Sequence, residues 1–396
     1  MLQVALGWEL YERTHSALAL GLVGLATALP VVILALPAGD LADRMDRKKI
    51  LIWSQIGFIV AGLALAALSY WQGPVALVYA VLLARGAGQA YNNPARQALL
   101  PHLVPADVFG NAVTWASGAF QVAAVVGPGI GGLVIAIERG ATSAYIISSL
   151  LTAIYLWTLF EIRAGGEPQQ TSEFAARSKE RMTLRSLAAG LRFVRDDKVI
   201  LAALTLDLFA VLLGGATALL PIFAKDILHV GPQGLGWLRA APSVGALIVA
   251  VAIAHRPAMT RTGWTLLIAV VGFGVATVVF GLSKSFVLSM VMLFLLGGLD
   301  GISMIIRSTL VQLRTPDEMR GRVSAVNSVF IDMSNELGGF ESGALAALVG
   351  PVAAVVVGGA GTVVVVGVVA LAWPELRQLG PLQPEVPEDL TGQDDS

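Results

Sequence analysis

Six ionisable side chains sit inside stretches otherwise almost free of charge: Arg85, Asp207, Asp300, Asp332, Glu336 and Glu341. Hydrocarbon makes each of them expensive to hold, so each is a candidate for carrying a proton or meeting a substrate. Five acids cannot all be satisfied by pairing with one base, and a carboxyl that takes up and returns a proton is what a proton carrier needs. Asp332 and Glu336 are four residues apart and share a helical face, whereas Glu341 points about 180° away from Asp332. The three therefore cannot line one cavity. For any single acid, the plain structural alternative is a protonated carboxyl hydrogen-bonded to a neighbouring helix.

Other chemistries find little support in the sequence. There is no cysteine, and the four histidines (His15, His102, His229, His255) fall in connecting segments rather than in a cluster. Neither a metal site nor a redox thiol is expected, and no cofactor. No phosphate-binding G-x-x-x-x-G-K-[ST] and no nucleophile with a base and an orienting group can be found, which argues against an ATP-driven machine and against an enzyme. A net charge of −1 gives no reason to expect a nucleic-acid partner. The expected partners are a small-molecule substrate, protons as coupling ion and the lipid bilayer, with the chain a monomer.

The chain is 56% apolar and 13% charged, with mean hydropathy +0.75, which marks a polytopic, all-α membrane protein. Apolar runs predict spans near 17–38, 50–71, 74–94, 107–137, 141–162, 199–224, 232–254, 264–283, 286–306, 319–349 and 351–373. Ahead of them MLQVALGWELY offers only about 16 Å of helix, too little for a hydrocarbon core of about 30 Å. The first helix therefore reads as truncated, with a true start expected upstream.

Between two of these spans, residues 39–49 read GDLADRMDRKK, three acids and four bases in eleven positions. This loop resembles the loop between the second and third helices of major facilitator superfamily transporters, G-x-L-A-D-R-x-G-R-K-K, at ten of eleven positions. Asp46 replaces the second glycine, so the turn there is expected to strain an Asp. The resemblance implies two six-helix bundles and a cytoplasmic gate built from Gly39, Asp40, Asp43, Arg44, Arg47 and Lys48, with Asp43 reaching Arg320 or Arg322 at the start of the eleventh helix. An N-terminus of that kind also offers unpaired N–H groups to a carboxylate. The plain alternative is that the bases only set orientation. With the loop on one face, twenty Lys and Arg fall on that face and five on the other, with Arg85 inside a span. That bias places the loop, the middle segment and the C-terminal tail in the cytoplasm.

Further motifs extend the resemblance over nearly the whole chain. RGAGQAYNNPA from Arg85 is similar to the fourth-helix pattern R-x-x-Q-G, although Gly88 and Gln89 exchange the last two positions; the arginine is implicated in proton transfer, or equally in binding a substrate carboxylate. GPGIGG, with Gly127, Pro128, Gly131 and Gly132, resembles the fifth-helix G-P-x-x-G-G of drug–proton antiporters, where glycines allow close packing and proline allows bending. Ala123 stands where an upstream glycine is expected. The tracts 92–101, 206–221 and 340–343 resemble a bacterial branch that includes enterobactin exporters and efflux proteins. The implied activity is proton-coupled efflux of small hydrophobic or siderophore-like molecules across the bacterial inner membrane by alternating access. Import of a small metabolite and a non-transporting receptor are the alternatives.

An offset of 211 residues superposes RQALLPHLVPADVFGNAVTWAS (96–117) on RSTLVQLRTPDEMRGRVSAVNS (307–328), matching Arg96 with Arg307, Pro105 with Pro316 and Gly110 with Gly321. Two parallel halves with a site near the midplane follow. The expected layout is an N-terminal bundle at 1–162, a linker at 163–198 with an amphipathic stretch lying on the membrane or serving as a plain connector, a C-terminal bundle at 199–373 and a disordered tail at 374–396.

Overall fold

The computed structural model describes residues 1–105, 107–162, 184–255 and 261–381. Among these residues all regular structure is helical. The first half comprises α1 (Leu2–Thr14), α2 (Ala17–Arg44), α3 (Arg47–Tyr70), α4 (Val75–Leu103), α5 (Phe109–Glu138) and α6 (Thr142–Glu161). After α7 (Leu184–Asp196) the second half comprises α8 (Lys198–Leu213), α9 (Gly231–Ala254), α10 (Thr262–Leu282), α11 (Phe286–Arg314), α12 (Asp317–Val349) and α13 (Pro351–Ala372), followed by the short α14 (Pro374–Arg377). Nine of the described segments are long and apolar enough to cross a membrane, with the stretch Lys198–Ile227 counted as one. The sequence reading adds spans on α4 and α12, which at 29 and 33 residues are long enough but are diluted by polar side chains.

The internal repeat appears in the helix boundaries: α11 begins and ends 211 residues after α4, and both are 29 residues long. Helix starts are set by local caps. Ser16, Asp46, Asp197 and Ser285 accept hydrogen bonds from backbone N–H groups in the first turns of α2, α3, α8 and α11. At Asp46 the expected left-handed strain is absent: its φ is −59° and its carboxylate accepts from Lys48 N at 2.9 Å, so the aspartate that replaces glycine serves as a cap.

The expected 199–224 span falls within the apolar stretch Lys198–Ile227, but the helix is broken inside it: it stops at Leu213, and the chain continues through a 3-10 turn (Ala216–Leu219) to a π-helical turn (Phe223–Ile227). The cause is Gly214–Gly215, where the backbone of Gly215 lies so close to α12 that an added Cβ would be 2.8 Å from the carbonyl carbon of Gly338. The apolar face of α7 is covered by α12 and α11: Val194 is 2% exposed within a cluster that includes Val311, Val323 and Val326, and Gly190 sits against the Arg322 carbonyl. Residues 374–381 are docked, with Lys198 bridging to Glu375 at 2.8 Å and Gly263 N donating to Leu379 O. The remainder of the expected tail, like most of the linker, lies outside the described residues.

Candidate functional site at the seam between the halves

The two halves meet along α2–α12 and α5–α9, and glycine sets the distance of approach. A Cβ added to Gly132 of α5 would lie 2.9 Å from Gly236 Cα of α9, and one on Gly343 of α12 would lie 2.6 Å from Gly21 Cα of α2. Gly131 is equally tight against the backbone of Met1. The GPGIGG tract is thus the crossing point between halves as well as a proline-containing stretch of α5. All these contacts lie toward the end of the molecule away from the 39–49 loop, here termed the far end. The core there is continuous across the seam, joining Leu6 and Leu10 of α1 to Leu219, Phe223, Leu235 and Leu238.

A polar clasp closes the same end. Tyr11 donates its hydroxyl to Asp226, Lys225 pairs with Glu12 at 2.9 Å, and Lys225 Nζ lies 5.7 Å from the Tyr11 ring centre. Both the Tyr11–Asp226 and the Glu12–Lys225 contact bridge α1 to the π-helical turn that follows α8. On α1 itself Arg13 donates to Gly73 O, which ties the α3–α4 turn to the clasp.

The basic end is different. Residues 110–120 of α5 are exposed on every face but for half-buried Ala112, and Gly131 is the first buried residue of that helix. Among the described residues nothing lies within 4 Å of a Cβ added to Gly39, Gly110, Gly118 or Gly321. The halves therefore diverge from the far end toward the basic end and leave a cleft between them.

At the floor of that cleft four helices contribute polar groups. Thr27 of α2 donates to Glu336 of α12 at 3.3 Å, and Arg239 of α9 donates to Gln3 of α1 at 2.9 Å. Arg239 is close enough to Glu336 for the two to interact electrostatically. Counted from the far ends of their helices at 1.5 Å per residue, Thr27, Arg239 and Glu336 lie about 12–20 Å deep, close to the midplane of a core of about 30 Å. This junction is the one place among the described residues where an expected acid, Glu336, faces the other half directly.

The other expected residues are distributed more widely. Asp207 is ion-paired with Arg307 deep within the second half, and Asp300 lines a small cavity beside it. Arg85 packs its guanidinium 4.8 Å from the Phe58 ring centre, with Gly88 making room for that ring, and has no ion pair among the described residues. Glu341 accepts from Ser342 at 3.4 Å on its own helix, away from the junction. Lys48 donates to Ile162 O at 2.6 Å, capping the end of α6 within its own half. Arg320 is exposed, and Arg322 reaches Met319 Sδ on its own helix at 3.4 Å. The side chains of Asp40, Asp43, Arg44 and Asp332 lie outside the described residues.

Two bases are misassigned by the sequence reading. Arg307 and Arg239, counted there with the two loop faces, both lie inside helices, and Arg307 is 4% exposed. The reason is that α11 runs unbroken to Arg314, with no breaker before Pro316, so its end cannot be placed at 306. Intramembrane acids therefore face three bases, not one, and the count on each face loses one base without losing its bias. The clasp is not foreseen in the sequence either. Its only signal there is charge order, Glu12 at the end of the first helix and Lys225–Asp226 at the end of the 199–224 span.

Comparison with known proteins agrees with this architecture. Residues 1–386 match the MFS_3 family, described as transmembrane secretion effector. The enterobactin exporter EntS of Escherichia coli O1:K1 is 28% identical over 98% of this chain and 91% of its own length, and EntS of Citrobacter koseri is 29% identical over 96% and 89%. Among solved structures, a point mutant of the nucleoside transporter NupG superposes with a TM-score of 0.69 at 14% identity, covering 93% of this chain and 94% of NupG. A point mutant of the peptide transporter POT, in complex with sulfate, also reaches 0.69, at 11% identity over 96% and 92%. A multi-pass helical protein with two repeated halves, a glycine-packed seam and a full-length family match, this chain belongs to the transmembrane secretion effector family of major facilitator transporters.

Proposed function

We propose that the chain exports small hydrophobic or siderophore-like molecules in exchange for protons, by alternating access, from the side that bears the basic loops. That side is read as the cytoplasm and the membrane as a bacterial inner membrane, since Lys and Arg favour the cytoplasmic face. The observation that carries the reading is the cleft opening on the basic side and ending on Glu336, Thr27, Arg239 and Gln3, a polar floor built by both halves. A molecule entering from that side reaches groups whose relative positions must change when the halves rock. Export is favoured over import by the GPGIGG tract at the α5–α9 crossing and by relatives named for enterobactin export. In this reading the basic end shuts when the 39–49 loop, through Asp43, meets the start of α12 near Arg320 and Arg322.

Everted vesicles from cells expressing the chain test it, with enterobactin and a panel of hydrophobic dyes as probes. The expected result is uphill accumulation that collapses when the proton gradient is dissipated and falls on the order of tenfold or more in Glu336→Gln. Accumulation indifferent to the gradient contradicts proton coupling, and net movement only in the opposite direction makes the chain an importer.

A further inference from the structure

The second half contains a buried charge cluster that is separate from the cleft floor. Asp207 of α8 is ion-paired with Arg307 of α11, and the two side chains are only 8% and 4% exposed. Asp300 lies two turns before Arg307 on α11 and opens, together with Asp207, onto one small cavity closed by Val270, Phe273 and Ser303. Both Asp207 and Arg307 act on Asp300 electrostatically, yet Asp300 has no hydrogen bond among the described residues. Among the described residues the neighbouring helices bring uncharged groups to this site: α10 presents Val270 and Phe273, and α9 faces this part of α11 with Gly245, Ala246 and Val249. Two carboxylates and one guanidinium leave one negative charge uncompensated in a low-dielectric site, and a single proton cancels it.

We propose that this cluster, not the cleft floor, holds the coupling proton, with Asp300 as the group that takes it up. The step forms one O–H bond on an Asp300 carboxyl oxygen and breaks one O–H bond of a hydronium ion arriving from the aqueous side, which leaves as water. With Asp300 protonated, Arg307 belongs to Asp207 alone; with Asp300 ionised, the guanidinium is shared between two carboxylates and the α8–α11 attraction is redistributed. That change has a route to the seam. Seven residues beyond Asp207, α8 breaks at Gly214–Gly215, and Gly215 is seated on Gly338 and Ser342 of α12, the helix that carries Glu336. The proton is thereby bound in one half and felt between the halves. The proposal rests on the proton-coupled reading above.

The absence of native cysteine allows a test that needs no substrate. Spin labels at Gly110→Cys and Gly321→Cys, two open positions on either side of the basic end, report the cleft width of the full chain in lipid nanodiscs between about pH 5 and about pH 9. The labelled parent is expected to change its ratio of long to short distances by about tenfold over that range, and Asp300→Asn by less than about twofold. Asp300→Glu, which keeps an acid, is expected to retain the response with a displaced midpoint, and Glu336→Gln, which loses a contact between the halves, to shift the baseline ratio while keeping its pH dependence. A full response in Asp300→Asn, or loss of the response in Glu336→Gln alone, overturns the assignment to this cluster. A parent with no response at all instead removes the proton-coupled reading on which the assignment rests.

Discussion

The two ends of the seam solve opposite problems with the same residue. At the far end glycine lets backbones touch, as at Gly21–Gly343 and Gly132–Gly236, and a Tyr11–Asp226, Glu12–Lys225 clasp is laid over the contact. At the basic end a Cβ added to Gly110, Gly118 or Gly321 would meet nothing among the described residues, and three turns of α5 are exposed almost all round. Glycine in a membrane helix therefore has no single meaning: it is close packing where the halves meet and unoccupied approach surface where they do not. The difference also indicates what must change in a transport cycle. If the seam rocks, the far-end glycines must part and the basic-end glycines must find partners.

The largest expected effect separates these two sets. Gly343→Leu forces a side chain into the backbone of α2 and is expected to lower stability by about 1–3 kcal/mol, whereas Gly110→Leu is expected to stay within about 0.5 kcal/mol of the parent. Thermal or denaturant unfolding in detergent measures both, and equal losses at the two positions would erase the contrast between the ends.

The clasp comes next. Tyr11→Phe removes a part-buried hydrogen bond to a carboxylate and is expected to shift the balance toward far-end opening by about 1.5 kcal/mol. Glu12→Gln breaks a pair whose side chains are 42% and 24% exposed, and is expected to shift it by less than about 1 kcal/mol. A distance measured across the far end sharpens the comparison by ranking the two contacts.

Much of the fold is legible in the sequence because hydrocarbon imposes length and apolarity on every span, and because a constant offset between Arg96 and Arg307 reports the doubled plan. The charged loop locates the basic end for the same reason. What escapes is governed by tertiary contact. The break in α8 depends on Gly215 meeting Gly338, and a pair of glycines in an apolar run does not announce that by itself. Arg307 reads as a loop residue because its partner Asp207 is a hundred residues away in the chain, and only the folded α8–α11 pair keeps that guanidinium inside. Glu336 is found because any mid-span acid is suspect, but its placement at the seam, unlike that of Glu341 five residues later, depends on which face α12 turns toward α2.

The smallest expected effect lies at the basic end. The hydrogen bond from Lys198 holds the Glu375 carboxyl below its usual range. A depressed carboxylate contributes stability at pH above its unfolded value, near 4.5, and loses it as pH falls through the lower folded value. Acidification below about pH 4.5 is therefore expected to loosen the docked 374–381 segment slightly, and Glu375→Gln to remove that dependence. Both groups are exposed, so proteolysis of the segment is a better measure than global unfolding.

The central claim is that the far end must open for transport, and one crosslink tests it most directly. In this cysteine-free chain, Glu12→Cys and Lys225→Cys can be bridged by a short reducible thiol crosslinker that joins the two halves at the clasp. The bridged protein is expected to stop moving the substrate found in the vesicle assay and to resume when the bridge is reduced. Turnover by the bridged protein at the rate of its unbridged parent would contradict it.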